Sequence, residues 1–117
     1  MNASEPLASP GPAMPDRAVG ELTAQLIAAA AGLTPDALRG RDRDLRAGRA
    51  RQIAFYLVHI GLGWPLDRTG RLFSRQRSTI SHACRQVEDR RDDAALDRQL
   101  GRLEAVLRDA VTLKLDL

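Results

Sequence analysis

Beyond Asp93 an apolar residue returns at every third or fourth position, at Leu96, Leu100, Leu103, Leu107 and Val111. That period belongs to one face of an α-helix and cannot serve a strand, whose faces alternate every second residue. The same beat recurs upstream at Val19, Leu22, Leu26 and Ile27, at Ile53, Tyr56, Leu57 and Ile60, and at Ile80, Ala83, Cys84 and Val87. No segment alternates as a half-buried strand does. The chain is therefore expected to be all-α, a compact helical bundle. With four aromatics in 117 residues, its core must be mostly Leu, Ile, Val and Ala, and the length supports one domain of modest core.

Breakers divide the helical segments. Residues 1–16 hold most of the prolines and little to bury, which predicts a disordered tail before a domain over 17–117. The first helix is expected from about Arg17 to Ala31, stopped by Gly32. Thr34-Pro35-Asp36 then supplies an N-cap with proline at the first helical position, for a short turn through Leu38. Arg39 to Arg51 carries six arginines, two aspartates and two glycines without an apolar period, and reads as a connector. A helix from Arg49 to about Leu62 closes at "GLGWP", with Trp64 expected to pack in that corner. A short helix over Leu66–Phe73, a turn over Ser74–Gln76 and a helix to about Arg91 follow, and a last helix starts near Asp93.

Charge is segregated along this frame. Residues 1–38 carry one arginine against four acids, residues 39–85 eleven arginines against three acids, and residues 86–117 six bases against eight acids. A central block of +8 inside a chain of net +3 is the footprint of a polyanion binder. Seventeen of the eighteen bases are arginine, the side chain suited to bidentate contact with phosphate and guanine. The block runs into the helix "RSTISHACRQVEDRR", whose buried stripe leaves a cationic face of short side chains at its start.

Two helices joined by a tight turn, over about residues 66–91, describe a helix-turn-helix. The major groove admits a helix whose first turn reaches base edges, and a helix N-terminus favours an anion. Other chemistries fit poorly. His82 and Cys84 point about 200° apart on a helix, and no further cluster completes a metal site. Ser78, Ser81 and His82 lack the spacing of a hydrolytic triad. No enzyme activity, metal or cofactor is expected. Cys84 falls on the apolar stripe as a small core residue. The run "EDRRDDAALDRQ" is expected to be a solvated face, with Asp92 and Asp93 suited to the start of the last helix. Leu113, Leu115 and Leu117 extend that helix's stripe into a candidate partner surface. Neither an 18-residue apolar run nor a secretory leader is present, so a cytoplasmic, nucleoid-associated protein is expected, without membrane contact.

From about Ile27 to Leu107 the sequence resembles domain IV, the Trp-repressor-like DNA-binding domain of the bacterial replication initiator DnaA. The resemblance is carried by "RARQIAFYL" at Arg49–Leu57, by "PLDRTGRLF" at Pro65–Phe73, and by "RSTISHACRQVEDRR" at Arg77–Arg91, similar to the family's Asp-His-Thr-Thr-Val-x-His-Ala-Cys-Arg signature. It implies that Gln76, Arg77, Ser78 and Thr79, entered from Arg75, face base edges and nearby phosphates of a DnaA-box-like duplex. It implies Arg43 in the adjacent minor groove, phosphate contacts from Arg51, Gln52 and His59, and backbone contacts from His82 and Arg85. The family's Asp-His pair reads Gln76-Arg77 here, and the turn is one residue shorter, so the preferred site is expected to differ. Thr69 stands where the family has an apolar residue, and its hydroxyl is expected to bond a carbonyl one turn back.

No G-x-x-x-x-G-K-[ST] phosphate loop occurs in the sequence, so the resemblance stops short of the initiator's ATPase motor. The expectation is a stand-alone, sequence-specific reader of double-stranded DNA that regulates replication initiation or nearby transcription. The competing class is a protein-interaction module acting on the initiator, or on the AAA+ protein that inactivates it, without reliance on DNA. The oligomeric state is left open by the sequence.

Overall fold

Gly32 ends the first helix as its position demands. In the computed structural model, which describes residues 14–40 and 43–117, helix α1 spans Asp16–Ala31 and Gly32 takes a left-handed φ of 70°. Of the expected tail, residues 1–13 lie outside the described residues, and Asp16 is already helical. Thr34 caps the short helix α2, Pro35–Arg39, its hydroxyl accepting from the Ala37 amide at 3.1 Å.

Helix α3, Leu45–Tyr56, begins four residues earlier than the connector reading allowed. Asp44 is the reason. Its carboxylate accepts from the Ala47 amide at 2.9 Å, which satisfies a donor the first turn would otherwise leave open. Ala47 and Ala50 are buried, so part of the arginine-rich stretch belongs to the core after all.

The expected stripe on this helix also moves. Ala54, Phe55, Tyr56, Leu57 and Val58 are all buried in succession, whereas Ile53 is half-buried and Ile60 is 45% exposed. Two causes act together. The helix is covered on several sides, and its last turn, Leu57–Gly61, widens to a π-turn in which the Leu62 amide reaches the Leu57 carbonyl at 2.9 Å. One extra residue in the turn rotates the next side chains by about 100°, carrying Ile60 outward.

Helices α4, Leu66–Phe73, and α5, Arg77–Arg90, complete the expected pair, followed by α6, Ala94–Thr112. Ile80, Ala83, Cys84 and Val87 of α5 pack with Leu100 and Leu107 of α6 and with the buried face of α3. Burial pushes the Cys84 thiol up to about 11, consistent with a core residue. Thr69 is fully buried and its hydroxyl donates to the Pro65 carbonyl at 2.9 Å, the settlement expected of it.

The α5–α6 corner is largely the solvated face read in the sequence, with the half-buried Arg91 reaching inward from it. Arg91 binds Asp97 at 2.6 Å and Glu104 at 3.3 Å, and donates to the Tyr56 hydroxyl at 3.0 Å. The Tyr56 hydroxyl in turn donates to Glu88 at 3.2 Å. Its bond to the Tyr56 oxygen, aided by Asp97 and Glu104, strengthens the hold of Arg91 on its proton. The Asp93 carboxylate caps α6 through the Ala95 and Leu96 amides, as expected of it.

Gly70 permits the close approach of α4 to the following turn. A Cβ there would sit 2.6 Å from the Arg75 carbonyl oxygen, a backbone atom that cannot swing aside. Gly70→Ala is therefore expected to lower stability by about 2 kcal/mol, despite a helix-propensity gain of about 1 kcal/mol. A urea midpoint at or above that of the parent chain would show that the turn yields freely.

Candidate nucleic-acid interface

The turn between α4 and α5 is made of three residues. Ser74 takes φ 56°, the only non-glycine positive φ among the described residues, and the Arg75 amide reaches back to the Gly70 carbonyl at 2.9 Å. Gln76 occupies the N-cap position of α5 with no side-chain cap bond. Its side chain is thus left to solvent, as are those of Arg77, Ser78 and Thr79. The same first turn hides Ile80 completely, so the helix is anchored from beneath while its tip stays open.

Around the tip lies a shallow depression of about 610 Å³ lined by Asp67, Gly70, Arg71, Ser74, Arg75, Gln76, Arg77 and Thr79. Asp67 forms an ion pair with Arg77 at 3.3 Å, both side chains more than half exposed. Such a pair is worth about 0–1 kcal/mol, so it aims Arg77 without locking it. Neither Asp67 nor Arg71 was singled out from the sequence. The signal was present in their position on the first helix of the pair, one and two turns before the tight turn.

The connector is tied to this tip through one backbone oxygen. The Gly40 carbonyl accepts from Arg51 Nη1 at 2.6 Å and from Arg75 Nη2 at 3.3 Å. Arg75 is half-buried, also donating to the Phe73 carbonyl at 3.1 Å, with its guanidinium 5.8 Å from the Phe55 ring. Phe55 itself packs on Phe73 at 5.0 Å between centroids. Arg51 is only 8% exposed. Two of the arginines assigned by resemblance to DNA thus hold the connector in this structure. Arg43 stands exposed three residues beyond Gly40 and just ahead of the Asp44 cap.

The remaining assigned residues are spread more widely. Gln52 is half-buried on α3. His59 lies in the π-turn, its Nδ1 donating to the Trp64 carbonyl at 2.6 Å. Its Nε2 can then donate to an anion only as imidazolium. His82 and Arg85 are exposed along α5, with Arg85 Nη1 donating to Ser81 Oγ at 2.9 Å. Arg68 braces this side of the fold, bidentate to Asp16 at 2.8 and 3.0 Å and stacked 3.7 Å over Trp64. Among the described residues no group of His, Cys, Asp and Glu comes together as a metal site, and no helix is long and apolar enough to cross a membrane.

A helical bundle whose tight corner presents an anchored, polar and cationic helix start is a helix-turn-helix DNA-binding module. The family model described as the bacterial DnaA protein helix-turn-helix matches residues 21–87, and the chain belongs to that family. It is 35% identical over 77 residues to the chromosomal replication initiator protein DnaA of Deinococcus radiodurans, covering 64% of this chain and 16% of that protein. To DnaA 1 of Protochlamydia amoebophila it is 37% identical over 65 residues, covering 55% of this chain and 14% of that protein. A crystal structure of a DNA replication initiation factor superposes with a TM-score of 0.73 at 25% identity, over 82% of this chain and 30% of the other. A replication initiator DnaA bound to AMPPCP and single-stranded DNA gives 0.71 at 25% identity over the same shares. The chain thus corresponds to a minor part of the length of each of these proteins.

The buried and exposed arginines should separate in stability measurements. Arg51→Ala removes a charged donor from the Gly40 carbonyl and is expected to cost about 2 kcal/mol, whereas the exposed Arg77→Ala should stay within about 0.5 kcal/mol of the parent. Equal thermal midpoints for the two variants would remove the structural role given to Arg51.

Proposed function

We propose that this protein reads double-stranded DNA in a sequence-specific way at DnaA-box-like sites and so regulates replication initiation or nearby transcription. The observation that carries the proposal is the Gly40 carbonyl shared by Arg51 and Arg75. It ties Gly40, three residues before Arg43, to the turn that opens α5, which supports a reading in which a helix tip meets the wide groove and Arg43 the narrow one. Work on chromosomal sites would place the protein on the nucleoid, in the cytoplasm.

Roles divide by reach and chemistry. Gln76 and Arg77, exposed at the tip, discriminate bases: an amide prefers the adenine edge and a guanidinium the O6 and N7 of guanine. Ser78 and Thr79 are short enough to let the helix start approach phosphate, and the open amides of that first turn add to the attraction. Arg71, Arg85, His82, Gln52 and His59 take phosphates along the flanks. Arg51 and Arg75 contribute charge to the same field while holding the connector. An arginine in place of the signature histidine favours a site in which guanine replaces a standard base.

Binding of this kind has measurable signatures. Arg77→Ala should reduce the preference for the best duplex, obtained by selection from genomic fragments, over a scrambled one by about 1–3 kcal/mol. Arg43→Ala should lower affinity and flatten the log–log salt dependence by about 0.9 for each phosphate no longer neutralised. Asp67→Asn, which frees Arg77, should raise affinity a few-fold in low salt. Fluorescence anisotropy with labelled duplexes reads all three. A selectivity unaltered in Arg77→Ala, or affinity indifferent to salt, would sink the proposal.

A further inference from the structure

A second concavity lies away from the helix-turn-helix tip. It is a groove of about 510 Å³ between the end of α1, the first half of α3 and the middle of α6. Its floor is apolar, made by Ile27, Ile53, Leu96, Leu100, Leu103 and Val106, and its rim carries Arg46, Arg49 and Arg102, with no acidic residue among the described residues that line it. On α3, at about 100° per residue, Arg46, Arg49 and Ile53 share one side and Arg51 and Phe55 the other. The groove is therefore turned from the side that holds the connector.

The rim is left electrostatically unbalanced. Elsewhere Arg39, Arg68, Arg77 and Arg91 all have carboxylate partners, but among the described residues none pairs with Arg49, Arg90 or Arg102. Arg46 donates to the Ala31 carbonyl, a neutral partner that leaves its charge in place. Arg90, at the end of α5, has a buried Nε without a hydrogen-bond partner. Burial first, and repulsion from Arg49 second, weaken its hold on the proton. Guanidiniums that repel one another and have no carboxylate partner among the described residues are a cost that a bound anion removes. Val106, an apolar residue of the last helix, is 51% exposed on the groove's edge.

We propose that this groove docks an acidic amphipathic helix from a protein partner. Leucine-like anchors at i, i+3 or i+4 and i+7 fill the floor, and Asp or Glu on the flanks meet Arg46, Arg49 and Arg102 of the rim. Apolar floor and cationic rim together select this occupant over nucleic acid, which would satisfy the rim and leave the floor wet. The inference does not depend on the reading of the DNA face, and both surfaces can be occupied at once.

The test uses the full chain and a labelled 18-residue helical peptide with leucines on one face and glutamates elsewhere. Two controls accompany it: a lysine-for-glutamate version and a serine-for-leucine version. Micromolar binding of the acidic peptide is expected, with at least a tenfold loss for each control. The exposed changes Val106→Ser and Arg49→Ser/Arg102→Ser should each weaken it about tenfold, with unchanged helical circular dichroism and duplex affinity within threefold of the parent. Equal binding of acidic and basic peptides, or none at about 1 mM, overturns the proposal. So does a dimer in sedimentation that Val106→Ser dissociates, which would make a second copy the occupant. A loss of duplex affinity in Arg49→Ser/Arg102→Ser as large as in Arg77→Ala would assign the rim to DNA instead.

Discussion

Two guanidiniums converge on the Gly40 carbonyl, one from the middle of α3 and one from the turn that opens α5. A neutral carbonyl with two lone pairs can accept both, and each charge-assisted bond is stronger than an ordinary amide pairing. The junction adds a direct tie between Gly40, at the end of α2, and the turn of the helix-turn-helix. With it, Gly40 is tied both to the middle of α3 and to the turn before the α5 tip. The geometry of the whole face rests on side chains that are themselves largely withdrawn from it.

Burial divides the arginines into those with fixed partners and those open to solvent. Arg51 lies inside the bundle and Arg75 is half-covered by Phe55 and Phe73, while Arg77 is held only by a solvent-screened pair with Asp67. A buried guanidinium demands fixed partners, since leaving one unpaired is costly. An exposed one can exchange a carboxylate for a phosphate or a base at little cost. Residues of one type within a 27-residue stretch thus do different work, and their accessibility separates them.

Much of the fold was legible from periodicity and caps. Gly32, Thr34 and Asp93 end or begin helices where their chemistry says they should, and the apolar spacing named the buried residues of α5 and, on α6, buried Leu100 and Leu107 with half-buried Leu96, Leu103 and Val111. The misses have physical causes. Asp44 was hidden among arginines, although it is an N-cap followed by two buried alanines. The π-turn over Leu57–Gly61 broke the period by one residue, which no spacing rule anticipates. The Arg91 cluster looked like surface charge because its partners Tyr56 and Glu104 are 35 and 13 residues away. At the candidate interface, the exposed tip could be read from the polar run at the start of α5. The pairing of Arg51 with Gly40, eleven residues apart and in different elements, could not.

Trp64 is the single indole in the chain, and it sits where three elements meet. Its amide and carbonyl bond the π-turn through Val58 and His59, and Arg68 of α4 stacks over its ring while gripping Asp16 at the start of α1. The indole emission of the protein therefore comes from one junction alone, which makes the molecule its own spectroscopic gauge of whether α1, the end of α3 and α4 remain docked.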